Sequence, residues 1–166
     1  MTIAQDLFRC CTFLVAILSA VVDSQSLGDV PAVISANESF STLVAALSVS
    51  GLNAPLSAPM GPYTLFAPTD EAFESLPDAE VLIPCLFLPE NSVFLRTILS
   101  YHVVGGFAIE KSVFNDGQVI GSGLRVNEDG SNVLINDAKI VLPDITASNG
   151  VVHGIDKGKF FFLGKM

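Results

Sequence analysis

Histidine, cysteine and tryptophan are scarce in this chain, and their scarcity limits the chemistry available to it. The 166 residues include no tryptophan, three cysteines and two histidines, His102 and His153. Cys10 and Cys11 lie in an apolar N-terminal segment, so a chain that loses this segment keeps only Cys85. One cysteine and two histidines cannot supply the ligands of a structural zinc site, and we expect neither a metal nor a cofactor. Acid–base catalysis near neutral pH would have to use one of the two imidazoles.

Basic residues are also few, and this argues against two classes of partner. Eight lysines and arginines stand against 17 aspartates and glutamates, for a formal net charge of −9. Without residues 1–24 the counts are 7 and 15, and the net charge is −8. Nucleic acids and anionic membranes bind clusters of basic residues, which this sequence does not contain. We expect neither as a partner; an acidic surface favours solubility and cationic partners or ions.

Residues 1–24 have the pattern of a secretory signal peptide. Arg9 precedes the apolar run Cys10–Val22, which is interrupted only by Thr12 and Ser19 and is followed by polar residues. About 13 apolar positions are too few for the ~20 that span a bilayer, so a transmembrane anchor is disfavoured. Small residues allow cleavage after Ser24, with a second site after Ala20. The prediction is a secreted domain of residues 25–166, without a membrane anchor.

Two positions are linked to this secretory route. Cys85 has no internal disulfide partner, and the apolar residues on either side favour a buried thiol over an exposed one that pairs between chains.

Asn37-Glu38-Ser39 is an N-glycosylation acceptor. Asn37 or Ser39 would also suit the start of a helix, which does not preclude a glycan.

The first half of the chain carries helical patterns. Apolar side chains recur at helical spacing behind a cap at Ser39 or Ser41 and up to Gly51: Phe40, Leu43, Val44 and Leu47. Further helical segments are predicted at 54–58, from Thr69 or Asp70 to Pro77, within 78–90, and from Asn91 or Ser92 to Leu99.

From Gly106 onward, short alternating runs separated by turn residues predict β-structure. A hairpin is expected around Asp129-Gly130, and a further strand, Lys139–Leu142, is expected to end before Pro143. Helices crowd the first half and strands the second. The chain is therefore predicted to be an α+β domain with a mainly antiparallel sheet.

Two segments some 75 residues apart are the most informative part of the sequence: YTLFAPTDEAF at 63–73 and ASNGVVHGID at 147–156. The first reads as a strand that runs into a capped helix. The second begins with a turn pair, Asn149-Gly150, and continues as a strand whose alternate positions face a core. Neither segment places a nucleophile beside a base.

On these residues the chain resembles a single fasciclin domain. The first box of that family is matched by Thr64, Phe66, Ala67, Pro68, Thr69, Asp70, Ala72 and Phe73, and the second by Asn149, Gly150, Val151, Val152, His153, Ile155 and Asp156. Between the boxes, Tyr101-His102 stands where the family has a Tyr-His pair. The three ordered matches extend over about residues 28–162.

The resemblance implies a fold and a set of candidate contacts. The fold is a wedge of antiparallel, β-sandwich-like sheets flanked by several short helices, in which the matched positions serve the scaffold. Tyr101 and His102, and the segment Pro143-Asp144-Ile145, resemble segments that contact integrins in some animal relatives. Packing within the core is the alternative for the Tyr-His pair, and Asp144 would offer a carboxylate to a receptor-held cation.

Other chemistry has less support in the sequence. Each histidine sits among apolar residues, which favours a packed side chain bonded to backbone, and no G-x-S-x-G motif is present. Loop acids could bind calcium, but they lack EF-hand spacing and fit solvated turns better: Asp116, Glu128, Asp129 and Asp137. We therefore expect no enzyme.

The sequence leaves two hypotheses of function. The first is a secreted, non-enzymatic module for adhesion or extracellular-matrix contact, with a cell-surface or matrix protein or glycan as partner and weak self-association. The alternative is a soluble carrier that holds a small apolar ligand or a glycan in a helix-sheet cleft, motivated by an apolar content of 50%.

Overall fold

The computed structural model describes residues 28–57, 61–121 and 123–157. The predicted leader and the C-terminal residues 158–166 lie outside this part of the chain. Residues 30–100 of the described chain form six helices and one strand, and strands predominate from residue 103 onward. The helices are Val30–Ser35 (α1), Ser41–Ser50 (α2), Asn53–Ser57 (α3), Asp70–Glu74 (α4), Ala79–Leu86 (α5) and Ser92–Ser100 (α6), with 3-10 turns at Glu38–Phe40, Pro89–Asn91 and Lys111–Val113.

The strands form one seven-stranded sheet in the order β2-β1-β7-β6-β5-β4-β3. They are Tyr63–Pro68 (β1), Val103–Gly105 (β2), Val119–Ile120 (β3), Leu124–Asp129 (β4), Asn132–Ile135 (β5), Ala138–Ala147 (β6) and Gly150–Ile155 (β7). Neighbours pair antiparallel except β1 and β7, which are parallel. The predicted α+β class is confirmed, and the sheet is single and mixed.

The parallel pair is made by the two motif segments themselves. β1 carries the first box and β7 the second, in a continuous register from Tyr63 opposite Gly150 to Pro68 opposite Ile155. Both strands are buried on both faces, apart from the half-buried Tyr63. The alternation expected for the second segment is therefore absent, because neither face of this strand meets solvent.

The sheet has a hydrophobic core on each side. On one face the helices cover Leu65, Ala67 and Val152. The other face curls around a second core, in which Phe66 and Ile155 meet side chains from the later strands. Successive side chains of a strand point to opposite faces, so β1 and β7 divide their residues between the two cores.

A single carboxylate joins the first box to helix α2. Asp70 accepts hydrogen bonds at Oδ2 from the Ser41 amide (3.2 Å) and hydroxyl (2.6 Å), and at Oδ1 from the Thr42 amide (2.8 Å). These amides are at the N-terminus of α2, whose capping position, Phe40, makes no side-chain bond. The predicted cap at Ser39 or Ser41 is wrong, because Asp70, a residue distant in sequence, accepts the bonds from the first amides of α2. The predicted cap at Thr69 is confirmed for α4.

Strand β6 differs from the prediction at Pro143. It continues through the proline to Ala147, with register shifts between Ile140 and Leu142 and between Leu142 and Ile145. Proline has no N–H to donate, and an irregular stretch of strand tolerates it. Asp144, next to it, has a left-handed φ of 57°.

The expected burial of Cys85 is wrong. Helix α5 directs Leu86 into the core and leaves the Cys85 thiol exposed. Every position from Ile83 to Leu88 is apolar, so the sequence pattern does not distinguish the two faces of this helix.

Within the described residues, no single helix has the length and apolar composition needed to cross a bilayer. One bent pair, Ala79–Leu86 with Pro89–Ser100 at 79°, meets the same test only when the two are taken together.

We predict that Gly150→Ala disrupts the parallel pair. A Cβ at Gly150 would overlap the carbonyl oxygen of Tyr63, so the strands must separate and the free energy of unfolding should fall by about 3 kcal/mol. Gly105 faces the same tyrosine from β2, but a Cβ there would lie 3.9 Å from the Tyr63 ring. Gly105→Ala is the matched control in urea unfolding, and an equal loss in both variants would contradict the steric argument.

We also predict that Asp70→Ala lowers the free energy of unfolding by about 1 kcal/mol at neutral pH, because α2 loses its cap. Burial raises the pKa of Asp70, but the hydrogen bonds from Ser41 and Thr42 outweigh it and hold the pKa below the ordinary 3.8. The stabilisation is thus complete above pH 3.8 and is lost as the pH falls through the lower folded-state pKa. Glu71→Ala, an exposed neighbour in the same turn, serves as control in unfolding titrations at several pH values. If the wild type still had a larger free energy of unfolding than Asp70→Ala in strong acid, the proposed cap by the Asp70 carboxylate would be refuted.

Candidate functional site

The structure places His153 at the centre of the molecule, not on its surface. The side chain is 0% exposed and lies on β7 opposite Phe66. Its ring is stacked on Phe66 at 5.6 Å between centroids and meets the edge of Phe114 at 5.5 Å. These are contacts of a buried side chain packed between aromatic rings.

Both ring nitrogens of His153 bond to backbone. Nε2 lies 2.7 Å from the carbonyl oxygen of Ile109, and Nδ1 accepts a hydrogen bond of 3.1 Å from the amide of Asp144. An amide only donates and a carbonyl only accepts, so the ring is neutral and carries its proton on Nε2. One imidazole thus connects β7 to the irregular part of β6 and to the segment that follows β2.

Asp144 completes this arrangement on the outer side. Its Oδ1 accepts a hydrogen bond of 2.7 Å from the amide of Lys111 and lies 3.9 Å from His153 Nδ1. The Asp144 side chain is 45% exposed, although the histidine beneath it is fully buried. The strand irregularity therefore holds a carboxylate at the surface in a fixed position.

The surroundings of His153 favour its neutral form. Burial lowers its pKa, and this outweighs the bond to the Ile109 carbonyl and the charge of Asp144, which both raise it. The groups that bond the ring are a backbone amide and a backbone carbonyl. Neither is a nucleophile that the imidazole could activate, so the contacts are those of a structural side chain.

The Tyr-His pair is divided between surface and interior. Tyr101 is 46% exposed, whereas His102 is 5% exposed. His102 Nδ1 lies 3.0 Å from the carbonyl oxygen of Ile98, and its own carbonyl accepts a bond of 2.9 Å from the amide of Phe66. Burial lowers the pKa of His102, against the bond to Ile98, which raises it. Tyr101 is thus the member of the pair that a macromolecular partner would meet.

The remaining motif residues bond to backbone and hold segments together. Thr64 Oγ1 donates to the Phe107 carbonyl at 2.8 Å and accepts from the Ile109 amide at 2.9 Å. Asn149 accepts at Oδ1 from the Val30 amide (2.9 Å) and donates from Nδ2 to a carbonyl of α3 (2.6 Å). Asp156 accepts from the Lys139 amide at 2.7 Å. Each of these three side chains connects its own segment to backbone of a segment distant in the chain.

The other sequence candidates are distributed over the surface. Ile145 is partly buried against the helical core, next to the more exposed Asp144. Asn37 caps the 3-10 turn by accepting from the Ser39 amide at Oδ1, a bond that does not involve the amide nitrogen to which a glycan attaches. Within the described part of the chain, no group of three or more His, Cys, Asp or Glu side chains could hold a metal ion.

The family is established by comparison with known proteins. The model of the fasciclin domain matches residues 38–158, so the chain belongs to the fasciclin domain family. Protein sll1483 of Synechocystis sp. is 44% identical over 124 residues, which are 73% of this chain and 67% of that protein. The transforming growth factor-beta-induced protein ig-h3 of Sus scrofa is 36% identical over 136 residues, 78% of this chain and 19% of that protein.

A solved structure supports the same fold. A FAS1 domain pair from the insect cell adhesion molecule fasciclin I superposes with a TM-score of 0.67 at 18% identity, over 80% of this chain and 50% of that one. The predicted membership and wedge-like fold are therefore confirmed.

The sequence did not reveal that His153, Asp144 and Lys111 form one connected group. Asp144 and His153 are nine residues apart on antiparallel strands, and the two register shifts of β6 determine which residue faces the imidazole. The one hint in the sequence is the pair Pro143-Asp144, because a proline inside a strand pattern marks a bulge.

We predict that acid destabilises the protein through its histidines. Both have a folded-state pKa below the ordinary 6.5, so the unfolded chain binds more protons as the pH falls below 6.5. The free energy of unfolding should be independent of these groups above that pH and should fall steadily from there through the folded-state values. NMR titration of the ring protons tests this directly, with the unfolded chain in urea as reference. Titration of both rings above pH 6.5 in the folded protein would contradict the prediction.

Proposed function

We propose that this protein is a secreted, non-enzymatic adhesion module that binds a matrix or cell-surface protein or glycan. Its family supports a role in cell adhesion, and the solved structure that it resembles comes from an insect cell adhesion molecule. The motif residues at the centre of the fold bond to backbone, as a scaffold requires. Recognition then falls to side chains at the outer edge of the sheet.

The observation that carries the proposal is the position of Asp144. Its carboxylate is 45% exposed and is fixed through the backbone amide by a buried histidine and through Oδ1 by the Lys111 amide. Two exposed apolar side chains are close in sequence to these anchors: Val141 on β6, and Val113 in the 3-10 turn that begins at Lys111. A carboxylate held rigidly at the surface suits a cation held by a receptor, or a basic group on a matrix protein.

Tyr101 is the second contact in this proposal. An exposed tyrosine presents an apolar ring and a hydroxyl at low entropic cost, which is why tyrosine is enriched at interfaces. His102 supports it from beneath rather than meeting the partner. A small patch on one domain binds weakly, so bridging between surfaces would rely on weak self-association or on multivalent display.

Secretion belongs to the same proposal. The signal-peptide pattern of residues 1–24 would deliver the domain outside the cell, where the acceptor at Asn37 would carry a glycan. The cap at Asn37 uses Oδ1, so a glycan on the nitrogen is compatible with the observed turn.

The carrier hypothesis stays a prediction. A groove of about 700 Å³ has Asp29, Glu110 and Thr146 among its lining residues. Two carboxylates at its edge do not suit a large apolar ligand.

We predict that Asp144→Asn reduces cell attachment to the immobilised domain by tenfold or more. Asparagine is isosteric, keeps an acceptor for the Lys111 amide and tolerates the positive φ, so the variant removes the charge and little else. Asp116→Asn is the matched control, because Asp116 is also exposed and accepts a backbone bond, from Glu128 at 2.9 Å. Attached cells of the source organism are counted on equal densities of each protein. Equal attachment to wild type and Asp144→Asn would remove Asp144 from the contact surface.

A further inference from the structure

A groove lies at one end of the sheet, where the turn between β6 and β7 meets the start of β1. Its volume of about 700 Å³ is within the roughly 300–1,000 Å³ of ligand pockets in general. Ala147 and Gly150 are buried lining residues with a small side chain or none, which leaves the space open. The lining residues with polar side chains come from separate segments of the chain: Asp29, Ser57, Glu110, Thr146, Ser148 and Asn149.

The charged side chains of this groove are acidic. Among its described lining residues, Asp29 and Glu110 carry charge, and there is no lysine, arginine or histidine. Lys111 follows Glu110 in the chain but is not one of the lining residues. Like charges without a counter-charge create a negative potential, and the walls of a groove concentrate it. The groove therefore attracts cationic ligands and repels anionic ones.

The fold leaves most acceptors of the groove open. Asp29 uses Oδ1 to accept a bond of 3.1 Å from an amide of α1, which leaves Oδ2. Glu110 is exposed, and its carboxylate has no hydrogen bond or ion pair within the described part of the chain. The exposed hydroxyls of Ser57, Thr146 and Ser148 also lack a partner there. Water satisfies such groups in the free protein, and a ligand of suitable chemistry can replace it.

These features distinguish between classes of ligand. An apolar molecule would desolvate two carboxylates without compensation. A neutral sugar could donate to the acceptors but would leave both charges unpaired. A peptide segment with lysine or arginine side chains supplies cations to the carboxylates and backbone N–H groups to the hydroxyl oxygens. A free polyamine supplies the cations alone.

We propose that this groove binds a basic peptide segment of a partner protein. Its cationic side chains pair with Asp29 and Glu110, and its backbone amides donate to the hydroxyl oxygens of the groove. One exposed ion pair contributes little, so the affinity depends on the charges and hydroxyls acting together. The site does not include Asp144 and does not rest on the adhesive function proposed above, because it concerns a peptide bound in solution.

The proposal is tested by fluorescence anisotropy with labelled peptides of equal length and the purified protein. A peptide of alternating lysine and glycine should bind saturably. The same peptide with acetyl-lysine has no side-chain charge and should bind at least tenfold more weakly, and a glutamate version should not bind. Unlabelled spermidine, which has the cations but no backbone amides, should compete at least tenfold less well than unlabelled lysine peptide. Equal binding of the lysine and acetyl-lysine peptides, or equal competition by spermidine or by a neutral trisaccharide, overturns the proposal.

Two double variants separate the groove from the overall charge. Asp29→Asn with Glu110→Gln removes both groove charges and keeps the side-chain shapes, and asparagine also caps helices well. This variant should lower the affinity for the lysine peptide at least tenfold. Glu38→Gln with Asp116→Asn removes two exposed acids outside the groove and is the matched control for net charge. An equal loss in both double variants assigns the attraction to the overall charge and overturns the proposal.

A bulky neutral side chain tests where the peptide lies. Ala108 is an exposed lining residue, so Ala108→Trp fills the groove without changing its charge and should abolish binding. Ala45→Trp, at an exposed position of α2 outside the groove, is the matched control. Unfolding in urea checks the fold of each variant. Unchanged binding in a folded Ala108→Trp places the peptide elsewhere and overturns the proposal; if that variant does not fold, the double variants and the peptide comparison decide the question.

Discussion

The parallel pairing of β1 with β7 is the constraint on which the rest of the structure depends. It joins residues that are far apart in the chain, and it places both strands between the helical core and the core of the curled sheet. The register sets Phe66 opposite His153, which creates the aromatic stack around the imidazole. It also ends with the Ile155 carbonyl accepting from the Thr69 amide at 3.1 Å, just where Thr69 caps α4. Without this pairing the imidazole of His153 would lose its stack on Phe66, and the Thr69 amide would lose its acceptor at Ile155.

Local features of the fold were predictable from the sequence, and the long-range ones were not. Gly51 ends helix α2 with a left-handed φ of 70°, and the hairpin at Asp129-Gly130 forms as the turn residues indicate, because both depend on neighbouring residues. The partner of β1 was not predictable. A strand buried on both faces is apolar throughout, and such a run carries no information on which strand lies beside it. Cys85 was misplaced for the same reason.

The candidate site shows the same division. The sequence identified Tyr101, His102, Asp144 and His153, but it could not show which of them share an environment. Asp144 meets His153 only because β6 bulges at the intervening proline, and the bulge rotates the Asp144 amide toward the imidazole. The Tyr-His pair separates because the end of α6 turns one side chain outward and the next inward. Both outcomes depend on backbone geometry that residue types alone do not specify.

The two histidines differ in how many of their ring nitrogens have a hydrogen-bond partner within the fold. His153 has a backbone partner at each ring nitrogen, so neither nitrogen is left to bond to a ligand. In His102 only Nδ1 has a hydrogen-bond partner among the described residues, the carbonyl of Ile98. The cleft that His102 lines has about 20 Å³ of space, which is enough for one water molecule and not for a ring-bearing ligand.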